Sequence, residues 1–269
     1  AIAYGAKQLL AAIGAWRTLE ADAQPIREIR VSDGGWRQGL SFAAHESPFF
    51  VHYSHGELRA GEIAKGEQPP FGWIVENRAI RRGLLKRLAE CSNLVHIDSA
   101  RVTEIDFHAG GAALRLQDGR TVAARLVIAA DGRHSAVRRM SGIGFKEFGY
   151  NQTAIVCTVG HERPHGGLAH ENFLPAGPFA MLPMTDGPDA QGVMRHRSSI
   201  VWTEDPRIVP WMLGLDDDAL AEEITRRFGT TLGKLKPIGL RFSYPMRLLL
   251  ADAYAKDGVA LVGDSAHAI

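Results

Sequence analysis

Three segments of the chain carry apolar residues at the spacing of an α-helix. The first runs from Ile2 to Trp16, the second follows Asn77, a residue that can cap a helix, and the third lies between Asp216 and Gly229. Their predicted buried stripes are Leu9, Leu10, Ile13 and Trp16 in the first, Ile80, Leu84, Leu85 and Leu88 in the second, and Leu220, Ile224 and Phe228 in the third.

Other runs, whose apolar residues either alternate with polar ones or are continuous, predict strands. Ile26, Ile29 and Val31 alternate with polar residues, and Asp118-Gly119 separates two short runs in the manner of a hairpin turn. The runs 126–130 and 259–262 are apolar without alternation. Such runs predict strands that are buried on both faces, as in parallel sheets, and we expect a helix to start after the second one.

Composition narrows the functions to consider. The chain is 45% hydrophobic with a formal net charge of +1, which gives no electrostatic reason to expect nucleic acid as a partner. No run approaches the roughly 18 apolar residues of a membrane span. Cys91 and Cys157 stand in no metal-type spacing and favour a reduced, intracellular compartment, although a disulfide between them stays open.

The first motif that carries chemistry begins at Asp131, directly after the buried strand 126–130. It reads D-G-x-x-S-x-x-R and includes Gly132, Ser135 and Arg138. Ligands of α/β sheets bind beyond the carboxyl ends of the strands, where a carboxylate can accept ribose hydroxyls and a glycine admits a cofactor to the backbone. The alternative is that Asp131 caps a helix and that Arg138 is a solvated side chain.

The second motif, V-G-D-S-A-H, ends the strand 259–262 and places Gly263 and Asp264 at its carboxyl end. A carboxylate there can accept a hydrogen bond from a ribityl or ribose hydroxyl. In isolation an Asp helix cap explains this motif better. Two such strand ends on one chain favour a dinucleotide site, and we expect the two strands to be neighbours in one parallel sheet.

This pair of motifs, more than a hundred residues apart, resembles that of the p-hydroxybenzoate-hydroxylase-like FAD-dependent monooxygenases. Softer stretches resemble their ubiquinone-biosynthesis branch, the 2-polyprenyl-6-methoxyphenol hydroxylases, and include residues 4–10, 179–183, 199–202 and 242–245. The resemblance implies an α/β fold: an FAD-binding Rossmann-like domain of the glutathione-reductase type with an inserted, mainly antiparallel β-sheet substrate domain. The implied FAD-binding parts are residues 1–27, 71–143 and 251–269, and the implied substrate-binding parts are 28–70 and 144–250.

The resemblance also assigns site residues, all of them to the cofactor. Asp264 with Gly263 would contact the ribityl or pyrophosphate portion of FAD. Asp131 with Gly132 would belong to a motif implicated in both FAD and NAD(P)H binding, supported by Arg138. Arg78 resembles an arginine near the FAD pyrophosphate, and Val102 is placed against the adenine. No catalytic residue is assigned, because the flavin itself performs the chemistry.

The implied activity is insertion of one oxygen atom of O2 into a polyprenylated phenol, with NAD(P)H or a ferredoxin-type partner as electron donor. Such a substrate implies a cytoplasmic protein in peripheral contact with the inner face of a membrane, and partners in a ubiquinone-biosynthesis complex. Three alternatives stay open: a hydroxylase of a small aromatic acid, a related flavin reductase or halogenase, and a non-catalytic dinucleotide-binding or assembly protein. A buried basic residue able to pair with a substrate carboxylate would favour the first.

Two further expectations concern what the chain lacks. The family's N-terminal GxGxxG segment and the His-Pro…Gly-Gln-Gly segment expected after Ile269 have no counterpart. The chain therefore resembles a piece of a longer protein, and we expect these 269 residues alone to retain FAD weakly or not at all. No metal is expected, because the series His161, His165 and His170 lacks an accompanying Glu or Cys pattern and is interpreted as surface histidines.

Overall fold

The computed structural model describes residues 1–35, 47–57, 68–189 and 191–269. The helices are α1 (Tyr4–Ala12), α2 (Asn77–Ala89), α3 (Ala136–Met140), α4 (Val209–Leu213) and α5 (Asp217–Phe228). The strands are β1 (Ile2–Ala3), β2 (Gln24–Ile26), β3 (Glu28–Asp33), β4 (Phe50–Ser54), β5 (Gly72–Ile74), β6 (Val102–His108), β7 (Gly111–Leu116), β8 (Thr121–Ala124), β9 (Val127–Ala129), β10 (Phe145–His161), β11 (Leu168–Leu174), β12 (Gly177–Pro188), β13 (Met194–Glu204), β14 (Leu235–Ala251), β15 (Ala255–Lys256), β16 (Val259–Leu261) and β17 (His267–Ala268).

The chain divides into two compact units. The first comprises Ala1–Leu94 and Gln152–Tyr244, and the second comprises Val95–Asn151 and Pro245–Ile269. This division follows packing. The expected assignment of 1–27, 71–143 and 251–269 to FAD and of 28–70 and 144–250 to substrate is a division by function and stays a prediction. Part of the segment 28–70, namely residues 36–46 and 58–67, lies outside the described residues.

Among the described residues, a large sheet has the strand order β17-β14-β10-β13-β12-β11-β3-β4, and most of its strands belong to the first unit. β3 and β11 pair in parallel, whereas β10, β12 and β13 pair antiparallel. Helix α5 packs on one face of this sheet through Leu220, Ile224 and Phe228, each at most 1% exposed. The predicted stripe of this helix is confirmed, and the Asp216 carboxylate caps the helix by accepting a hydrogen bond from the Ala219 amide at 2.8 Å.

The second predicted helix forms, but its buried face differs from the predicted stripe. Leu84 and Leu85 are 37% and 50% exposed, whereas Ala79 and Gly83 are buried. A Cβ on Gly83 would lie 2.5 Å from a methyl carbon of Leu19. The small residues thus allow a close approach to the turn at Leu19, and that contact decided the orientation of α2. The helix also begins without a side-chain cap, since Glu76 rather than Asn77 holds the N-cap position.

The first predicted helix ends earlier than its apolar pattern. Gly14 adopts a positive φ of 75° after α1, and Trp16 begins a separate 3-10 turn in which it is buried. Leu9 and Ile13, two members of the predicted stripe, are 72% and 54% exposed. The apolar pattern therefore joined α1 and the 3-10 turn at Trp16 into one predicted helix, although Gly14 separates them.

The second unit contains two small sheets, β6-β7-β8 and β15-β16-β9. The Asp118-Gly119 hairpin between β7 and β8 is confirmed, with Gly119 at a φ of 87°. The prediction that β9 is buried on both faces is wrong for the described chain, because Val127 and Ala129 are buried while Ile128 is 60% exposed. The helix expected after Gly263 is a single 3-10 turn, since His267 and Ala268 pair with β14 instead.

The histidine series also differs from its interpretation. His161 and His170 are only 2% and 4% exposed, and His161 donates from Nδ1 to the Arg163 carbonyl at 2.7 Å. In the part of the chain that the structure describes, no cluster of His, Cys, Asp or Glu is arranged to hold a metal, and both cysteines are free. Within those same ranges, no helix has the length and apolar character needed to cross a membrane.

Candidate functional site

The two sequence motifs meet at one edge of the sheet β15-β16-β9. β9 and β16 pair in parallel, with Ala129 opposite Leu261. Asp131 follows β9 by two positions and Asp264 follows β16 by three. The carboxyl ends of parallel neighbours lie at the same edge, so the expectation that these two strands are neighbours is confirmed. That the two carboxylates bind one nucleotide stays a prediction.

The Asp131 carboxylate organises the turn between β9 and α3. It accepts hydrogen bonds from the Ser135 hydroxyl at 2.5 Å and from the amides of Ala136 and Val137 at 2.7 and 3.1 Å. Partial burial opposes its ionisation, but the bonds from Ser135, Val137 and Ala136 outweigh it, so the pKa of Asp131 is lowered. Ser135 itself holds the N-cap position of α3, and the Asp131 carboxylate binds the next two amides, so the helix-capping alternative describes what this side chain does within the described chain.

Replacing Asp131 by alanine should cost about 1–2 kcal/mol of stability at neutral pH, the usual cost of losing a helix cap. Because the pKa is lowered in the folded state, this stabilisation is present above the unfolded value of about 3.9 and is lost as pH falls through the folded value. Urea unfolding at a series of pH values gives the free energy of unfolding of both proteins. The difference between the variant and the native protein should become smaller in acid. Asp98→Ala, a change at an exposed turn, is the control. If the loss of unfolding free energy in Asp131→Ala is as independent of pH as that in the control, the role of the Asp131 carboxylate at the start of α3 is contradicted.

Ser265 joins the two strand ends. Its hydroxyl donates to the Ala129 carbonyl at 2.6 Å and accepts from the Val262 amide at 3.1 Å. The side chain is fully buried. It thereby closes the turn after β16 onto the end of β9, which holds the Asp264 turn against the Asp131 strand.

Arg138 forms the second link between the motifs. Its guanidinium donates from Nη1 to the Ser265 carbonyl at 2.7 Å and from Nη2 to the Arg133 carbonyl at 2.8 Å. The residue is 1% exposed and lies over the ring of Phe145. Burial lowers its pKa, and the Asp131 carboxylate partly offsets this. The solvated alternative is thus wrong, and the observed role of Arg138 is to hold the turns; contact with a cofactor stays a prediction.

At the two turns the backbone is accessible at two glycines, and one carboxylate makes no hydrogen bond within the described chain. Gly132 and Gly263 have positive φ of 82° and 59°, and a Cβ on either would meet no atom within 4 Å. Asp264 is exposed, and its carboxylate has no hydrogen-bond partner among the described residues. Bare backbone beside a free carboxylate fits a ligand with hydroxyl groups that approaches closely, such as the ribityl or ribose part of a dinucleotide.

Two further predicted site residues fall in different places. Val102 begins β6 and lines a cavity of about 360 Å³ together with Ala136 and Arg139 of α3, so the structure brings it beside the Asp131 turn. Arg78 is exposed on α2 in the first unit and pairs with Glu76 at 2.9 Å. The roles of both toward FAD stay predictions.

Sequence reasoning gave Ser135 only a general role and none to Ser265. Both are fully buried, and both hydroxyls hold the turns at the strand ends. The available signal was their spacing, since each serine follows its glycine within three residues. Small hydroxyl residues directly after a strand end are typical of closed turns.

Comparison with known proteins gives a consistent result. Residues 10–269 match the family described as FAD binding domain. The chain is 45% identical over 267 residues to the ubiquinone hydroxylase UbiL of Rhodospirillum rubrum, covering 99% of this chain and 56% of that protein. It is 28% identical over 270 residues to the 3-demethoxyubiquinol 3-hydroxylase of Escherichia coli, covering 100% of this chain and 61% of that protein. The chain thus spans less than two thirds of the length of these relatives.

Solved structures agree at the level of the fold. The p-nitrophenol 4-monooxygenase PnpA of Pseudomonas putida superposes with a TM-score of 0.68 at 17% identity, covering 98% of this chain and 62% of that one. HpxO of Klebsiella pneumoniae, solved with FAD and uric acid, superposes with a TM-score of 0.64 at 19% identity, covering 97% and 62%. The expected α/β fold with a flavin-type domain and a β-sheet domain is confirmed.

Proposed function

The chain belongs to the FAD-binding-domain family, and from this membership we propose that the protein hydroxylates an aromatic ring. The substrate is a polyprenylated phenol of ubiquinone biosynthesis, and one atom of O2 enters the ring. The single observation that carries the proposal is the pairing of β9 with β16, which brings the turns of Asp131 and Asp264 to one sheet edge. The 45% identity to a ubiquinone hydroxylase supports the substrate class.

The residues of this chain contribute binding and order. Asp264 accepts hydrogen bonds from hydroxyl groups of FAD, and Gly132 and Gly263 let the cofactor lie against the backbone. Asp131, Ser265 and Arg138 keep the two turns in register. When bound, FAD would supply the redox chemistry, namely the uptake of electrons from NAD(P)H or a partner protein and the activation of O2.

The proposal extends to the surroundings of the protein. A phenol with a long prenyl tail is held in a membrane, so the protein contacts the membrane surface peripherally to reach it. Partners in a biosynthetic complex follow from the same reasoning, because the substrate and product of each step are poorly soluble in water.

The test is oxygen insertion by the whole protein that contains this chain. With FAD, NAD(P)H or a ferredoxin system, and a short-chain prenylphenol under ¹⁸O2, we expect phenol-stimulated consumption of the electron donor. The product should be a ring-hydroxylated phenol that carries one ¹⁸O atom by mass spectrometry. Reduction of the bound flavin without oxygen insertion into any phenol would reject the hydroxylase. Retained flavin that no donor reduces would instead support a non-catalytic dinucleotide-binding protein.

A further inference from the structure

The large sheet of the first unit has a second face, opposite α5. Side chains alternate along a strand, so residues next to the buried core positions point to the other side. Ile155, Met181 and Ile200 belong to the core under α5. Their neighbours in sequence, including Val156, Ala180 and Val201, therefore lie on the opposite face.

One row of side chains crosses five strands on that face. Val31 pairs with Glu171, Glu171 with Ala180, Ala180 with Val201, and Val201 with Val156. We call these five residues the Glu171 row. With strands about 4.8 Å apart the row is about 19 Å long. It consists of four apolar residues around one carboxyl group, and all five are half-buried except the buried Ala180.

Part of the same face is covered and part is not. Ile26, Ile74 and Phe71 pack over Ala169 and Met184, next to the row. Four of the five members of the row, all except Ala180, keep intermediate exposure, so the row is only partly covered. The Glu171 row is thus a mostly apolar strip next to a covered region of the same face.

Glu171 is the one ionisable residue of the row, and its neighbours in the row are apolar. Burial raises the pKa of its carboxyl, and no charged or hydrogen-bonding group of the described chain contributes to that shift. By strand alternation its face also carries Asp33 on β3 and Arg197 on β13, and further along β13 Arg195, which donates to the Asp189 carboxylate at 3.2 Å. Asp33 accepts a bond from the Gly35 amide, and Arg197 is 7% exposed and donates to the Thr185 carbonyl at 2.9 Å. Arg197 also lies 3.6 Å from Glu76, so it already has an anionic partner.

We propose that the Glu171 row holds the aromatic ring and the first part of the prenyl chain of the substrate, and that the Glu171 carboxylate selects a neutral phenol over an aromatic acid. The carboxylate accepts a hydrogen bond from the phenol hydroxyl and so orients the ring on the strip. A substrate carboxylate on the same strip meets a like charge at a half-exposed site, where repulsion is only partly screened. This inference rests on the proposed function for the class of substrate, and it adds the residue that determines specificity.

The test compares two probes of similar shape and different charge, 4-hydroxybenzoate and its methyl ester. Their dissociation constants are measured by calorimetry on the whole protein loaded with FAD. Above the pKa of Glu171 the ester should bind more tightly. Glu171→Gln should reduce the acid-to-ester ratio of dissociation constants about tenfold, the order expected when one like charge is removed. Glu171→Asp, which keeps the charge, should preserve most of that ratio.

A structural effect of the substitution would look different. Glu222→Gln, at an exposed position on α5, is the matched control and should leave the ratio unchanged. In the native protein the ratio should also fall as pH drops through the raised pKa of Glu171 while the probe carboxyl is still ionised. This pH response should be absent in Glu171→Gln. If Glu171→Gln fails to fold, two measurements still test the role of Glu171. These are the pH response of the native protein and the acid-to-ester ratio of dissociation constants in Glu171→Asp.

The outcomes separate this inference from the proposed function. A protein that hydroxylates phenols but shows the same ratio in Glu171→Gln and Glu222→Gln overturns the role of Glu171. A protein that inserts no oxygen into any phenol yet shows the expected tenfold change retains Glu171 as the selective group and loses the hydroxylase assignment. Tighter binding of the acid than of the ester by the native protein would reject the proposal outright.

Discussion

Replacing Arg138 by alanine should lower the free energy of unfolding by about 3 kcal/mol, the cost of removing one partner from buried charge-assisted hydrogen bonds. The carbonyls of Ser265 and Arg133 would lose their guanidinium donors in a site where Arg138 is 1% exposed. Because Arg138 joins the turns after β9 and β16, the loss should also loosen the strand ends. Urea unfolding followed by circular dichroism measures the first effect, and amide hydrogen exchange of residues 129–138 and 262–266 measures the second.

The neighbouring arginine is the matched control. Arg139 is exposed and donates one bond, to the His134 carbonyl at 2.7 Å. Arg139→Ala should cost no more than about 0.5 kcal/mol, as surface substitutions usually do. Arg138→Lys should fall between the two, since an ammonium group cannot reproduce the planar fork that reaches two carbonyls. Equal small costs for both alanine variants would show that Arg138 does not hold the turns.

Asp264→Ala should weaken FAD binding by the whole protein about 10- to 150-fold, because a hydrogen bond to a charged group contributes about 1.5–3 kcal/mol. The folded chain should be unaffected, since the carboxylate is exposed and has no partner among the described residues. Release of FAD on serial dilution, followed by the rise in flavin fluorescence, gives the dissociation constant. Asp264→Asn should lie between the native protein and the alanine variant, because it keeps an acceptor oxygen and loses the charge.

Asp257 provides a control of the same residue type near the same strand. It lies two residues before the start of β16 and is exposed, at the opposite end of that strand from Asp264. Asp257→Ala should leave the affinity for FAD unchanged. If the two alanine variants bind FAD with equal strength, the carboxyl end of β16 is not the cofactor site, and the proposed function loses the geometry on which it rests.

Local patterns predicted several elements correctly. Helix α5 has a regular apolar stripe, an acidic cap and a following glycine at a φ of 93°, so every local signal agrees with its packing. The hairpin at Asp118-Gly119 was equally clear, because the turn itself demands that pair. The parallel pairing of β9 with β16 followed from two apolar runs that each end in a carboxylate, a pattern whose meaning depends on the family resemblance as well as on the residues.

Other features depended on contacts between distant residues. The predicted stripe of α2 is Ile80 and three leucines, of which Ile80 does pack against the core. Ala79 and Gly83 are the buried residues of this helix, because Leu19 lies too close to Gly83 for a larger side chain there. The burial of His161 and His170 could not be predicted, since nothing local distinguishes a histidine in a strand interior from one on a surface. The apolar run of β9 indicated a strand but not which of its faces is buried in the described chain.

The sequence by itself determined the periodic elements, the two strand-end motifs and the family, because each is encoded by residues that are near one another along the chain. Only the tertiary structure decided what those residues do. It showed Arg138 donating to carbonyls of both turns, Ser265 closing one strand end onto the other, and Glu171 standing in a row of valines and alanine. The physical reason is that hydrogen bonding and desolvation depend on neighbours in space, and strand register brings together residues that are more than a hundred positions apart.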